Sequence, residues 1–189
     1  MASAGRLSVL GFAGSLRSGS YNRGLLQAAQ ELAPQDMEIG IFDLIDVPLY
    51  NGDVEAQGDP EPVARLKQAI RESDGVLMAT PEYNHGVPGV MKNAVDWASR
   101  PPSNAALARK PVAIMGASPG ITGTARGQSQ LRQAFEFTNS YAMPQPEILV
   151  FKAHEKFSED GRLTDEATRR YLQNFLTAFA EWIRRVGGA

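Results

Sequence analysis

The sequence predicts a doubly wound α/β fold, in which helices cover both faces of one parallel sheet. Apolar runs of strand length alternate along the chain with segments in which apolar residues recur every three or four positions. Several of the runs are almost continuously apolar, as expected for strands that are buried on both faces. Five strand–helix units with right-handed crossovers account for the pattern. Since five strands are visible rather than six, we predict the strand order 2-1-3-4-5.

Each element of this fold corresponds to one stretch of the chain. The predicted strands are Leu7–Ala13, Glu38–Phe42, Gly75–Ala79, Val112–Ala117 and Glu147–Val150. The predicted helices are Asn22–Leu32, Pro62–Ser73, Gly89–Ala98, Arg126–Tyr141 and Asp165–Val186. Apolar residues at steps of three and four give the last helix a face that packs on the core, namely Tyr171, Phe175, Phe179, Trp182 and Ile183. This order and alternation are those of the flavodoxin-like folds.

The segment Asp43–Pro60 is predicted to be a long surface loop, because it contains Pro48, an Asn51-Gly52 pair and Gly58. Its apolar residues are too numerous for a solvated linker; they are Leu44, Ile45, Val47, Leu49 and Tyr50. Two interpretations stay open. These residues pack under the edge of the sheet, or they form one wall of a pocket.

Length and composition predict one globular domain that spans residues 1–189. The chain is 43% hydrophobic and 21% charged, which is ordinary for a protein with a substantial core. A formal net charge of −2 provides no basic field for nucleic acid or membrane. The absence of cysteine excludes disulfides, thiolate catalysis and cysteine-ligated metals. Together with the lack of a signal-peptide pattern or a membrane-length apolar run, it favours the cytoplasm.

The loop between the first strand and the first helix is predicted to bind a phosphate group. It reads Gly11-Phe-Ala-Gly-Ser-Leu-Arg-Ser-Gly-Ser-Tyr-Asn22. A loop of small residues between a strand and a helix presents backbone N–H groups to an anion, and the serines and Arg17 add further donors. Neither a dinucleotide fingerprint nor a Walker loop is present. The alternative is a helix-capping turn with nothing bound.

Two further loops are expected to lie beside the first. Thr80–Gly89 and Ser118–Gly123 follow strands that neighbour the first strand in the predicted order, and ligands of such sheets bind beyond the carboxyl ends of the strands. Two prolines and two glycines stiffen the Thr80–Gly89 loop, which displays Tyr83, Asn84 and His85. A stiff loop with an aromatic residue suits a flat heterocycle. The small residues of the other loop allow a ring to approach the backbone.

Several of these side chains also have a purely structural interpretation. Tyr83 can be a core or interface aromatic, and Glu82 can be a salt-bridge partner. A surface role is favoured for His85, because one other histidine, His154, leaves no metal constellation. Ser118 has the glycine spacing of a nucleophile elbow, so a hydrolase is a further alternative. We predict no metal site and assign no catalytic side chain.

Three motifs together resemble the NAD(P)H-dependent FMN reductases, a family that includes bacterial chromate, quinone and azo reductases. The motifs are Gly14-Ser-Leu-Arg-x-x-Ser-x-Asn22, Pro81-Glu-Tyr-Asn84 and Pro88-Gly-x-x-Lys-Asn-Ala-x-Asp-Trp97. The resemblance runs from about Leu7 to about Val150. The chain departs from the family at Gly86, where many members carry Ser, and at Ser129 and Gln130, where relatives often have an aromatic residue and His.

The resemblance implies an FMN-dependent oxidoreductase that takes a hydride from NADH or NADPH and reduces quinones, free flavin, azo dyes or metal oxyanions by a ping-pong cycle. It implies that the phosphate end of FMN is held by Ser15, Arg17, Ser18, Ser20, Tyr21 and Asn22. It implies that the ring is lined by Pro81, Glu82, Tyr83, Asn84, Ser118 and Gly120. A homodimer is expected, with Val95 and Trp97 supplying apolar surface to the second subunit.

A second interpretation of the function remains beside this one. The chain can be a flavodoxin-like electron carrier, or a redox-sensing protein, that binds FMN without turning over a nicotinamide. The sequence also leaves open the physiological acceptor, the preference for NADH or NADPH, the choice between dimer and tetramer, and the role of His85.

Overall fold

The computed structural model describes residues 5–187, so residues 1–4 and 188–189 of the predicted domain lie outside the described part. The strands are β1 Leu7–Ala13, β2 Met37–Phe42, β3 Gly75–Ala79, β4 Pro111–Ala117, β5 Tyr141–Ala142 and β6 Ile148–Val150. The helices are α1 Tyr21–Glu31, α2 Gly52–Glu55, α3 Glu61–Glu72, α4 Gly89–Ala98, α5 Ala125–Thr138 and α6 Glu166–Val186. Within residues 5–187, no helix combines the length and apolar character that crossing a membrane requires.

The strands form one parallel sheet in the predicted order. β2 pairs with β1, β1 with β3, and β3 with β4. Beyond β4, the fifth position is divided between two short strands, because β5 and β6 both pair with β4. The single predicted strand Glu147–Val150 corresponds to β6 alone. Pro144 and Pro146 separate the two pieces, and proline cannot donate to a strand ladder.

One predicted helix is too long at its carboxyl end. α5 ends at Thr138 rather than at Tyr141, because Asn139 adopts a left-handed φ of 53° and closes the helix. The Tyr141 N–H then donates to the Lys110 carbonyl at 2.9 Å, as the first residue of β5. Asparagine tolerates the left-handed region better than most residues, so Asn139 is the signal that marks this end.

Two apolar layers, one on each face of the sheet, hold the fold together. Val9 of β1 belongs to the layer with α1 and α6, whereas Leu10 and Phe12 belong to the layer with α3, α4 and α5. The predicted apolar face of α6 is confirmed for its buried members Phe175, Phe179 and Ile183. The prediction is wrong for Tyr171, whose side chain is 50% exposed. Trp182 is partly buried and packs against the core.

The segment Asp43–Pro60 is clamped onto α4. The Pro48 carbonyl accepts hydrogen bonds of 2.8 Å from the Trp97 indole N–H and from the Asn93 amide. The Tyr50 ring meets the Trp97 ring edge-on, with the ring centres 5.0 Å apart. Here the segment packs on α4 rather than under the edge of the sheet, whereas Ile45 lines a groove, as the pocket-wall interpretation predicts. The short helix α2 follows.

This clamp buries two residues that the sequence prediction placed at a subunit interface. Trp97 is 0% exposed and Val95 is 2% exposed within a single chain. A buried indole N–H requires an acceptor, and the Pro48 carbonyl provides it. The prediction that Trp97 and Val95 supply apolar surface to a second subunit is therefore wrong.

Candidate active site

The three loops meet at the carboxyl edge of the sheet, as predicted. The N–H at the start of each loop donates to a carbonyl of the neighbouring strand at 2.9 Å: Gly14 to Ala79, Thr80 to Met115 and Ser118 to Val150. The contact between the first two loops leaves no room for a side chain at Gly14. A Cβ there would lie 3.2 Å from Pro81 and from Pro88. The loops thus form one continuous surface.

The first loop presents a row of backbone donors. Within the described chain, no group accepts a hydrogen bond from the N–H groups of residues 15–19. The loop is closed by a 3.1 Å hydrogen bond from the Ser20 N–H to the Arg17 carbonyl. Since α1 begins at the next residue, its positive end lies beside these donors. Consecutive free N–H groups at a helix start form an anion site.

The side chains of this loop divide into buried and exposed ones. Ser15 and Ser20 are buried, whereas Arg17 and Ser18 are exposed. The Ser20 hydroxyl oxygen accepts the Asn22 N–H at 3.2 Å and so caps α1, as the alternative of a capping turn predicts. Its proton has no acceptor among the described residues. Arg17 forms no ion pair within residues 5–187.

A groove of about 820 Å³ opens beside the loop. Its far wall is the hairpin of residues 157–163, which the sequence prediction of the site did not include. Phe157 packs against Tyr21 with ring centres 5.3 Å apart, and the Gly161 carbonyl occupies the space where Gly24 would carry a Cβ. The Asp160-Gly161 pair is a common hairpin dipeptide and is the sequence signal for this wall.

The side chain of Asn22, which the resemblance assigns to the phosphate site, makes contacts inside the fold. It is 3% exposed, and its amide forms two hydrogen bonds of 2.9 Å with the backbone of Ala117. Nδ2 of Asn22 donates to the Ala117 carbonyl, and Oδ1 accepts from the Ala117 N–H. The backbone of a paired strand makes the same two kinds of hydrogen bond. Asn22 therefore ties the start of α1 to the end of β4, and both polar atoms of its side chain are engaged there.

The second loop folds into a tight hairpin that displays Asn84 and His85. Tyr83 and Gly86 exchange backbone hydrogen bonds of 3.1 and 3.0 Å. The two residues between them have φ values of 51° and 63°, as in a type I′ turn. Tyr83 is 53% exposed, so it is not a core aromatic, and its hydroxyl lies 3.5 Å from the Ser15 hydroxyl. The hairpin is thereby joined to the first loop.

Glu82 caps a helix with its side chain. Its carboxylate accepts the N–H groups of Arg126 and Gly127 at 2.9 and 3.0 Å and lies 3.6 Å from the Arg126 guanidinium. α5 lacks a cap of its own, because Thr124 has a φ of 75° and makes no capping hydrogen bond. The structure supports the salt-bridge interpretation of Glu82, which leaves its backbone for the ring site.

The third loop keeps small residues close to its backbone. The Ser118 hydroxyl oxygen accepts the Gly120 N–H at 3.1 Å, which is its one hydrogen bond among the described residues. No histidine is therefore placed to activate it, as a hydrolase would require. Gly123 has a φ of 57°, and a Cβ there would lie 2.7 Å from the Leu149 carbonyl. Glycine is required at this turn.

The departures from the family pattern at positions 86 and 130 form a matched pair. A Cβ at Gly86 would lie 2.6 Å from Oε1 of Gln130, the atom that accepts the Val87 N–H at 2.7 Å. A serine at position 86 would therefore require Gln130 to move. A single sequence carries no signal for this contact, because the two residues are far apart in the chain.

The histidines do not assemble a metal site. His85 is exposed, and His154 is exposed and lies 3.7 Å from Glu155. Within residues 5–187, no group of three or more His, Cys, Asp or Glu side chains is arranged to hold a metal ion.

The chemistry of the three loops fits a mononucleotide with a flat ring. In the described chain, the free N–H groups of residues 15–19, two buried hydroxyls and an Arg17 without an ion pair suit one phosphate. Each loop also carries an exposed large apolar side chain, with exposures of 38% at Leu16, 53% at Tyr83 and 81% at Ile121. These side chains offer contact area to a planar ring system.

Comparison with known proteins finds relatives that match almost the whole chain. A family model described as NADPH-dependent FMN reductase matches residues 7–155. An NAD(P)H-dependent FMN reductase of Pseudomonas aeruginosa is 47% identical over 182 residues, which cover 96% of this chain and 98% of that protein. A quinone reductase of Pseudomonas putida is 42% identical, with coverages of 94% and 95%. The structure of FerB, an NAD(P)H:(acceptor) oxidoreductase from Paracoccus denitrificans, superposes with a TM-score of 0.87 at 40% identity, covering 95% of this chain and 98% of that one.

Proposed function

The chain belongs to the family of NADPH-dependent FMN reductases, FMN-dependent oxidoreductases that use NAD(P)H, and on this premise we propose that it reduces quinones at the site formed by its three loops. The observation that carries the proposal is the row of free N–H groups at residues 15–19, joined to an exposed aromatic on the neighbouring loop. Quinone is favoured among the acceptors because a close relative is named for it and because the exposed apolar side chains suit a flat ring.

Within this site the residues divide by role. The N–H groups of residues 15–19, together with Ser15, Arg17, Ser18 and Ser20, bind the phosphate, and Tyr21 supports the loop from the side. Asn22 positions this loop through its two hydrogen bonds to Ala117. The backbone of Pro81, Glu82, Tyr83 and Asn84 lines one edge of the ring, and Ser118 and Gly120 line the other. Ser118 and Gly120 are small enough to let a ring approach the backbone at that edge.

When bound, FMN supplies the hydride and electron chemistry, and the protein supplies binding and orientation. No side chain is assigned as a catalytic acid. The loops would cover one face of the bound ring, which would leave one open face for nicotinamide and quinone in turn. The strands of residues 5–187 form one sheet, and a single domain built on it would offer the dinucleotide no separate place to bind.

We expect ping-pong kinetics for this reason. Double-reciprocal plots against NADPH, taken at several quinone concentrations, should be parallel, and high quinone should inhibit by competing with NADPH. The measurement uses the protein with the flavin that it carries on purification, and that flavin is identified after denaturation. Intersecting lines would contradict a shared open face, and release of FAD would contradict the mononucleotide site.

The same preparation separates an enzyme from an electron carrier. A flavodoxin-like carrier would keep its yellow colour when mixed anaerobically with NADPH. A reductase should bleach and then regain its colour on addition of quinone. Turnover below that of free FMN would favour the redox-sensing alternative. We also propose a cytoplasmic location, which the absence of cysteine supports.

We also propose a homodimer, with the outer sides of α4 and α5 at the interface. A groove of about 380 Å³ between them is lined by the partly buried Val87 and Ala134 together with Lys92, Gln130 and Gln133, and Leu131, which also lines it, is fully buried within the chain. Its mixed apolar and polar lining is typical of subunit contacts. Sedimentation at micromolar concentration should give about twice the 20.5 kDa of one chain. A fully active species of one chain's mass would contradict the dimer, and a species of four chains would favour the tetramer.

A further inference from the structure

The Glu82 carboxylate faces two sources of positive charge beside the second loop. It accepts two N–H groups from the amino end of α5 and faces the Arg126 guanidinium at 3.6 Å. The amino end of a helix carries the equivalent of about half a positive charge. Together with Arg126, this exceeds the single negative charge that Glu82 contributes.

The carboxylate is enclosed between the second loop and α5. Its side chain is 8% exposed, whereas Arg126 is 50% exposed. A Cβ at Gly127 would lie 3.4 Å from Glu82 and 3.2 Å from the Gly86 carbonyl, so the helix packs directly on the loop. Charges act more strongly where water is excluded, and solvent screens the charge of Arg126. Glu82 therefore contributes more than Arg126 to the electrostatic potential at the second loop.

The neighbours of Glu82 in the chain are the residues that join the second loop to the first. A Cβ at Gly14 would lie 3.2 Å from Pro81, and the Tyr83 hydroxyl lies 3.5 Å from Ser15. The charge of Glu82 is therefore held on the α5 side of the loop that the proposed function assigns to the flavin ring.

We propose that Glu82 is a positioning residue that lowers the reduction potential of the bound FMN, in addition to holding the second loop on α5. The inference rests on the proposed function, since it requires FMN at this site. Reduction adds negative charge to the ring. A buried carboxylate beside the ring loop disfavours that added charge, whereas the uncovered helix end and Arg126 would favour it.

The test compares Glu82→Gln with the unaltered protein. Glutamine keeps the size and an oxygen that accepts an N–H, but it lacks the charge. The dissociation constants of oxidised and reduced FMN are measured anaerobically, together with the midpoint potential. We expect the preference for reduced FMN to rise about tenfold, which for a two-electron couple is about +30 mV. Glu136→Gln removes an exposed carboxylate from the same helix and should leave the potential unchanged.

Arg126→Gln removes a positive charge, so it should shift the reduction potential in the opposite direction from Glu82→Gln. It should shift the potential to more negative values, and by less, because Arg126 is half exposed. An unshifted potential in Glu82→Gln, with equal weakening of both redox forms, would overturn the inference and leave Glu82 as a helix cap. If Glu82→Gln does not retain FMN, an unshifted potential in Arg126→Gln overturns it instead. Failure of the unaltered protein to bind FMN would contradict the proposed function itself, which is a distinguishable result.

Discussion

Replacement of Arg17 by alanine should weaken FMN binding by about 1.5–3 kcal/mol, the range for a hydrogen bond to a charged group. This corresponds to a rise of about 10- to 150-fold in the dissociation constant. Arg17 is exposed and forms no ion pair with any residue from 5 to 187, so its guanidinium is available to the phosphate. The guanidinium carbon of Arg17, Cζ, lies 5.8 Å from the centre of the Tyr21 ring. Fluorescence titration of the FMN-free protein provides the measurement.

A matched control lies in the same groove. Arg23 also lines it, but its guanidinium already pairs with Asp43 at 2.8 Å. Arg23→Ala removes the same charge and should weaken FMN binding by much less than Arg17→Ala. Arg17→Lys should recover only part of the affinity, because the two-pronged geometry is lost. Equal effects of Arg17→Ala and Arg23→Ala would indicate a general field in the groove rather than a direct contact.

The sequence was sufficient to predict the order of the sheet, because buried parallel strands leave nearly continuous apolar runs. It was insufficient where tertiary contacts decide the local structure. The helical pattern of α5 continues past Thr138, and the left-handed Asn139 ends it. Trp97 was predicted to lie at an interface because its position on α4 is apolar. The clamp of Pro48 onto α4 buries it, and no local pattern records that contact.

In the candidate site, too, some features follow from sequence patterns and others are decided by tertiary contacts. Convergence of the three loops follows from strand order alone and was predicted. The salt bridge of Glu82 was among the predicted alternatives, but its capping of α5 was not, because a carboxylate that caps a helix 44 positions away has no signature at either position. Asn22 matches the family motif, yet its amide binds Ala117 at a separation of 95 residues. A motif therefore identifies which residues matter in this fold, while the fold decides which of them can contact a ligand.

Asp59→Ala should lower the free energy of unfolding by about 3–5 kcal/mol, the range for breaking a buried ion pair from one side. Asp59 pairs with Lys67, whose side chain is 1% exposed, at 2.5 Å. The ammonium also lies 5.7 Å from the centre of the Trp97 ring. Removal of the carboxylate leaves this buried charge without its partner and loosens the end of the segment that Pro48 clamps. Urea unfolding of the FMN-free protein measures the loss.

The two partners should respond unequally, because Asp59 is 30% exposed and Lys67 is not. Lys67→Met keeps the volume of the stem and leaves a carboxylate that water can reach, so its cost should stay below about 2 kcal/mol. The double variant should recover most of the loss in Asp59→Ala, since no unpaired buried charge remains. The exposed pair of Glu61 and Arg65 gives the baseline, with less than about 1 kcal/mol expected for Glu61→Ala. Equal costs for Asp59→Ala and Lys67→Met would mean that the hydrogen bond, rather than burial of the ammonium, determines the stability of this contact.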